Sequence, residues 1–192
     1  MPNNYETNSQ RQRYVQKSGR AWEHFVRDKV NQDLLYLRSK LKVIRGDDAR
    51  NDNNLWKKLS IPVGKINSNQ RIWGDIDLVV VDENNNPIAI ISCKTSLHGR
   101  LSESLFYAVV LKDMISSLKF VFSTPDKGRQ QSGGSWQSEW GSEESPTKDR
   151  QLGSHYTDGI YIENNKTKLG GKLKALSSLA KDLVDWHSNK LD

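Results

Sequence analysis

The chain has 192 residues, enough to bury one sizeable core and too few for two generous domains. Hydrophobic residues make up 35% and charged residues 27%, and no apolar run approaches the length of a bilayer span, which excludes a helical membrane protein. Lysine plus arginine (29) exceed aspartate plus glutamate (23), a net charge of +6 that favours a polyanionic partner, although such an excess also serves ordinary solubility. The single cysteine, Cys93, excludes an internal disulfide framework, and the polar N-terminus lacks the apolar stretch of an export signal; the expectation is a cytoplasmic protein without a membrane partner.

Residues 1–17 are polar and are expected to be flexible. From Ser18 to about Leu41 the apolar positions Trp22, Val26, Val30, Leu34, Leu37 and Leu41 recur at steps of three and four, which predicts a long amphipathic helix. Residues 45–70 are rich in Asn, Asp, Gly and Lys and read as loop, with one short strand over 59–63. "DIDLVVVD", the turn "ENNNP" and "IAIISCKTS" then predict two strands joined by a tight connection. Their near-continuous apolar character places them in the middle of a sheet covered on both faces. A second helix is expected from Leu101 to about Ser116, followed by the strand "LKFVFST". Residues 125–156 show no periodicity and read as a long loop. The strand "DGIYIEN", a Gly170-Gly171 break and a closing helix with Leu173, Leu176, Leu179, Leu183 and Trp186 on one face complete the chain. This order predicts an α/β fold, a mixed sheet flanked by helices, in one domain spanning 1–192.

The residues able to carry chemistry cluster on the central hairpin. Asp75 and Asp77 lie two apart on one predicted strand, and Ser92 and Lys94 two apart on the next, so each pair shares a face. If the turn pairs Asp82 with Pro87, Asp77 falls opposite Ser92 and Asp75 opposite Lys94. Two acids and a lysine then meet in an otherwise apolar setting, where burial costs several kcal/mol unless they pair or bind a metal. A plain cross-strand ion pair would account for the same residues. Glu23 falls on the apolar stripe of the first helix, either as a partner of this patch or as an acid satisfied at the helix start. The four histidines (24, 98, 155 and 187) show no zinc spacing.

"GDIDLVVVDENNNPIAIISCKTS" resembles the active-site hairpin of the PD-(D/E)XK nuclease superfamily, and "ISCKTSLHGR" is similar to type II restriction endonucleases within it. The resemblance implies a restriction-endonuclease-like fold, Mg²⁺ as cofactor and hydrolysis of phosphodiester bonds in double-stranded DNA. Lys94 takes the place of the motif lysine, and either Asp75 or Asp77 that of the motif aspartate. The acid position two before Lys94 holds Ser92. Some branches of the superfamily carry Ser there and bring the carboxylate from the following helix, where this chain offers Glu103; at the place one turn further on it has Tyr107. Arg100 matches an arginine common in that segment, expected to contact phosphate or orient an acid. "SGRAWEHFV" resembles the superfamily's first helix, which often lends a glutamate to the metal site, here Glu23. The expected metal ligands are therefore Asp75, Asp77, Glu103 and Glu23.

Residues 125–156 have the composition of a base-reading surface. Lys127, Arg129, Gln130, Gln131, Trp136 and His155 are the candidate DNA contacts, since Arg and Gln make bidentate contacts to bases and Trp can stack or wedge. A solvent-exposed insertion of mixed charge is the plain alternative. Cutting both strands of a short site asks for two active sites, hence a homodimer built on the second or last helix. Three functions compete: a sequence-specific restriction endonuclease, a repair, recombination or nicking nuclease of the same superfamily, and a DNA-binding module that has lost catalysis.

Overall fold

The computed structural model describes residues 4–63, 70–97, 101–130 and 134–189, with side chains from residue 17 onward. Helix α1 (Asn4–Tyr36) opens the chain. Strand β1 (Lys42–Arg45), helices α2 (Gly46–Asn51) and α3 (Asn53–Leu59) and the short strands β2 (Ile61–Pro62) and β3 (Arg71–Ile72) come next. The central hairpin is β4 (Leu78–Val81) and β5 (Pro87–Cys93), succeeded by α4 (Leu101–Met114) and β6 (Lys119–Thr124). A small hairpin of β7 (Arg129–Gln130) and β8 (Trp136–Gln137) precedes α5 (Lys148–Tyr156) and β9 (Gly159–Ile162). Strand β10 (Leu173–Ala175), a single 3₁₀ turn and α6 (Leu179–Ser188) end it.

Six strands form one mixed sheet in the order β1-β4-β5-β6-β9-β10. β1, β4 and β5 run antiparallel, and β5, β6, β9 and β10 run parallel. This is the α/β architecture expected from the sequence. Side chains alternate cleanly across it: Leu78, Val80, Ala89, Ile91 and Cys93 pack against Val26, Val30 and Leu34 of α1 and Leu179 and Leu183 of α6. Val79, Val81, Ile90 and Phe120 pack the other way, against Leu55 and Leu59 of α3 and Ala108 and Leu111 of α4. Each large aliphatic side chain so buried contributes roughly 1.5–3 kcal/mol, and β4 and β5 are buried at every position. No helix among the described residues is long and apolar enough to cross a membrane.

Several expectations need correction. The first helix begins at Asn4, within the segment expected to be flexible, and stops at Tyr36 because Arg38 turns left-handed (φ 54°); Leu41 is buried from the connection to β1. Residues 45–59, expected to be loop, are largely two short helices. The Asp52 carboxylate caps the second of them by accepting from the Asn54 and Leu55 backbone N–H groups, so a capping residue was read as a loop residue. The hairpin turn joins Val81 to Pro87 through a bulge, and the Asp82 N–H donates to the Asn86 carbonyl; the bulge restores, from Val80 inward, the register expected from an Asp82–Pro87 pair.

The region 125–156 is largely folded. Asp126, fully buried with φ 43°, accepts from Ser138 Oγ (2.6 Å), Thr167 Oγ1 (2.5 Å) and the Glu139 N–H (3.0 Å). Trp140 is buried edge-on to Phe122 (5.7 Å), and α5 comes after it, capped by Thr147. The closing helix starts at Leu179, because Leu173 belongs to β10, held in register with Ile160 of β9.

One glycine ties this frame to the acidic segment that leads into β4. The Gly46 N–H donates to the Asp77 carbonyl (2.8 Å), and a Cβ built on Gly46 would overlap the Ile76 carbonyl. Gly46→Ala must push α2 away from the segment that carries Asp75 and Asp77. It is expected to destabilise the protein by about 2–4 kcal/mol, measured by urea denaturation, whereas Gly19→Ala, with open space at Cβ, should change stability by less than about 1 kcal/mol.

Candidate active site

Lys94 comes directly after the last residue of β5, and its backbone N–H donates to the Ser123 carbonyl of β6 (3.0 Å). That bond fixes the backbone, and the side chain, on a residue only 8% exposed, reaches back across the hairpin. Its ammonium donates to Asp75 Oδ2 (2.7 Å) and Asp77 Oδ2 (3.0 Å). Asp77 Oδ2 also accepts from the Cys93 backbone N–H (2.7 Å) and lies 3.4 Å from Ser92 Oγ. Here a carboxylate takes a backbone donor at the end of β5. This explains why the regular β4 ladder begins only at Leu78 and why Asp75 and Asp77 lie just before it, although the sequence placed them inside the strand. The register continues to bring Asp77 beside Ser92 and Asp75 beside Lys94.

Burial pushes the Asp77 carboxyl above its usual range; Lys94 draws it down only in part, and Asp75 adds to the rise. Burial also works against the Lys94 charge, yet the aspartates more than offset it and hold the ammonium above its usual range. Glu23, half-buried on α1, is pushed up to about 7, first by burial and next by the Asp77 charge, with Lys94 and Arg45 opposing. Such shifts in one cleft are the electrostatic signature of a site where charge has been gathered against its own cost.

Glu23, Asp75, Asp77, Lys94 and Glu103 all line a single open cleft of about 570 Å³. Trp73, Gly74, Thr95 and Tyr107 complete much of its wall. Glu103 is exposed in the first turn of α4, and Tyr107, one turn on, packs its ring over Gly74, where a Cβ would come within 2.6 Å. Ser92 is fully buried and shares a 2.9 Å hydrogen bond with Ser104 of α4, so the acid position of the motif is filled by a hydroxyl turned into helix packing. Tyr107 was noted from sequence only as the residue at the place of the displaced acid, and Trp73 and Gly74 were not assigned a role in the cleft; the "WGDID" string, a small residue between an aromatic and the acids, was the available signal.

Among the described residues no three acidic, histidine or cysteine side chains already close around a point suited to a metal ion. The donor chemistry nonetheless fits Mg²⁺, which is held by one or two carboxylates and otherwise by water and phosphate. Asp75 and Asp77 already share one cationic group, the Lys94 ammonium.

The other sequence candidates lie elsewhere. Lys127 is exposed just before the β7–β8 hairpin, Arg129 and Gln130 are exposed on β7, and Trp136 on β8 donates to the Lys127 carbonyl through Nε1 (3.0 Å). His155 is exposed on α5, its ring edge-on to Tyr156 (4.7 Å). None of these lines the cleft. Lys127, Arg129, Gln130 and Trp136 do emerge from the same end of the sheet as Lys94, since Ser123 of β6 pairs with Cys93 and the hairpin begins a few residues beyond; His155, expected among the DNA contacts, lies instead at the opposite end, where α5 leads into β9 beside Phe120 and Lys119. Arg100 and Gln131 lie outside the described residues.

Comparison with known families matches residues 50–182 to the family described as BsaWI restriction endonuclease type 2. Comparison with curated proteins returns no match.

The Glu23 shift carries a stability consequence. A carboxyl raised from 4.5 to about 7 binds its proton more tightly in the folded state, so stability falls as pH rises from about 4.5 and the loss is complete above 7. Glu23 is half-exposed, and screening reduces the penalty to the order of 1 kcal/mol. Glu23→Gln is therefore expected to raise Tm at pH 8 by about 2–4 °C and to leave it unchanged at pH 4. Equal effects at both pH values in a calorimetric scan would overturn this.

Proposed function

Because the chain belongs to the BsaWI family of type 2 restriction endonucleases, we propose that it hydrolyses phosphodiester bonds of double-stranded DNA at a specific sequence, with Mg²⁺ as cofactor. The observation that carries this reading is the junction of Asp75, Asp77 and Lys94 within 3.0 Å on the wall of an open, polar cleft that also holds Glu23 and Glu103. In this reading residues 1–192 act as one endonuclease domain.

Asp75 and Asp77 would hold the cation, with Glu23 and Glu103 as the further carboxylates available in the cleft. Bound Mg²⁺ supplies neutralisation of the charge that builds on the scissile phosphate. Lys94, whose ammonium lies between Asp75 and Asp77, would place a positive charge beside the phosphate and the attacking water. Glu23, its carboxyl lifted to about 7, is partly protonated near neutral pH and would hold a proton beside the aspartates. The Tyr107 ring over Gly74 closes one side of the cleft and limits where the substrate strand can lie.

Sequence reading is assigned to the β7–β8 hairpin. Its base is clamped by Asp126, which holds both Ser138 and Thr167, so Lys127, Arg129, Gln130 and Trp136 are presented on a braced support. Arg100 and Gln131 complete the proposed contact set, and His155, at the far end of the sheet, is left out of it. Two-strand cleavage calls for two such sites, and a homodimer through α4 or α6 would supply them; α4 exposes Phe106 (57%) and Val109 (48%). The buried Ser92 supports a second reading, a DNA-binding module without catalysis, because the usual acid is missing.

Digestion of plasmid DNA separates the readings. Discrete fragments support restriction, smears or cleavage of branched substrates support repair, and a mobility shift without cutting supports the binding module. Lys94→Ala is expected to lower the cleavage rate by on the order of 10³-fold while DNA binding stays within about tenfold. Glu103→Gln and Glu23→Gln should each weaken Mg²⁺-dependent cleavage strongly, and Glu83→Gln, in the β4–β5 turn, should not. If Lys94→Ala cuts at the wild-type rate, the site assignment fails. Sedimentation of the protein alone and on DNA tests the dimer, and a monomer in both states would point to nicking.

A further inference from the structure

We propose that Arg20 and Arg50 form a phosphate-binding recess beside the carboxylate cleft, taking a backbone phosphate that flanks the scissile one. The inference rests on the reading of the chain as a DNA-cutting enzyme. A second recess of about 310 Å³ adjoins the cleft and shares Arg20, Glu23, Trp73, Gly74, Asp75 and Asp77 with it. Its far side is built by Arg45, Gly46, Asp47 and Arg50.

Charge balance singles out the two arginines. A DNA strand entering the cleft meets the carboxylates of Glu23, Asp75, Asp77 and Glu103, and the cleft's own lysine is already held by two of them (2.7 and 3.0 Å). Arg45 is committed to Asp47 (2.6 Å). Arg20 and Arg50 are exposed, and among the described residues neither has an ion-pair or side-chain hydrogen-bond partner. They are thus the guanidiniums of the recess that remain open to a ligand, and a planar fork of donors suits phosphate oxygens.

Both are tied mechanically to the site. Arg20 lies one helical turn before Glu23 on α1 and lines both chambers. Arg50 lies one turn beyond Gly46, the residue whose N–H grips the Asp77 carbonyl and which cannot accept a side chain. Charges placed only for solubility need not converge on one recess; these two do, from different helices, against the acids that a phosphate must pass. A phosphate held there would index the strand so that its neighbour falls over Asp75 and Asp77.

The test uses the full chain and a duplex carrying the site mapped by plasmid digestion. Binding is measured across salt concentrations for the wild type, Arg20→Gln, Arg50→Gln and the corresponding Lys variants. Lys40→Gln, at the opposite end of β4 where Lys40 pairs with Glu83, is the control. Each Gln variant is expected to weaken binding about tenfold and to reduce the salt slope by about 0.9, the Lys variants to recover most of the slope, and Lys40→Gln to change neither. A duplex with one methylphosphonate flanking the scissile position should cost the wild type a similar factor and cost the Gln variants nothing further. Wild-type affinity and slope in both Gln variants, with the wild type still cutting, would overturn the recess and leave the nuclease reading standing. A wild type that neither binds nor cuts duplex DNA would overturn both.

Discussion

Two aspartates and a lysine stand at the end of the most deeply buried hairpin in the protein, and holding them there shapes their surroundings. Desolvating charges of this kind costs several kcal/mol each unless every one finds a partner. Lys94 answers both aspartates, and Asp77 in turn takes the Cys93 N–H that would otherwise face the end of a ladder. The α2 helix is drawn in by the Gly46 bond to the Asp77 backbone, and α1 lays Glu23 alongside. Truncating Lys94 would leave two carboxylates without their counter-charge, whereas truncating either aspartate leaves the other still paired, so the three groups are coupled through the lysine.

The same coupling extends to Glu23. Lys94 sets one positive charge against two carboxylates, and Glu23, whose carboxyl is lifted to about 7 first by its own burial, is lifted further by the Asp77 charge. Asp77 and Glu23 are thus both held above the usual carboxylate range within one cleft, each first by its burial. Coupled shifts of this kind, gathered in one cleft, are what functional sites tend to collect. The surrounding sheet, packed on both faces, provides the rigidity that such a site requires.

A second buried acid does analogous work away from the cleft. Asp126 gathers Ser138, Glu139 and Thr167 around its carboxylate and closes the base of the β7–β8 hairpin. Beyond it, Trp140 plugs the core between β6, β9 and α4. What looks like thirty residues of polar loop is thus a short presented hairpin and a folded brace behind it. The hairpin leaves the sheet at the same end as Lys94, beyond the C-termini of the parallel strands β5 and β6.

The central hairpin, its burial on both faces and the meeting of Asp75, Asp77 and Lys94 were legible in the sequence, because strand alternation is a strict period of two and a short turn leaves few registers. The mixed sheet and the helices over 101–114 and 179–188 come from periodicity in the same way, as does Glu23 on the stripe of α1. Tertiary structure alone decided the rest. The helices at 46–59 are too short for periodicity to reveal, and they stand because Asp52 caps one and the core buries Leu55 and Leu59. Leu173 joined β10 instead of the last helix because pairing with β9 satisfies its backbone. Ser92 turned to Ser104, Tyr107 settled over Gly74, and Arg20 and Arg50 converged on one recess, all through contacts between residues far apart in the chain. Local sequence encodes which face a side chain takes; only the packed fold decides what lies opposite that face.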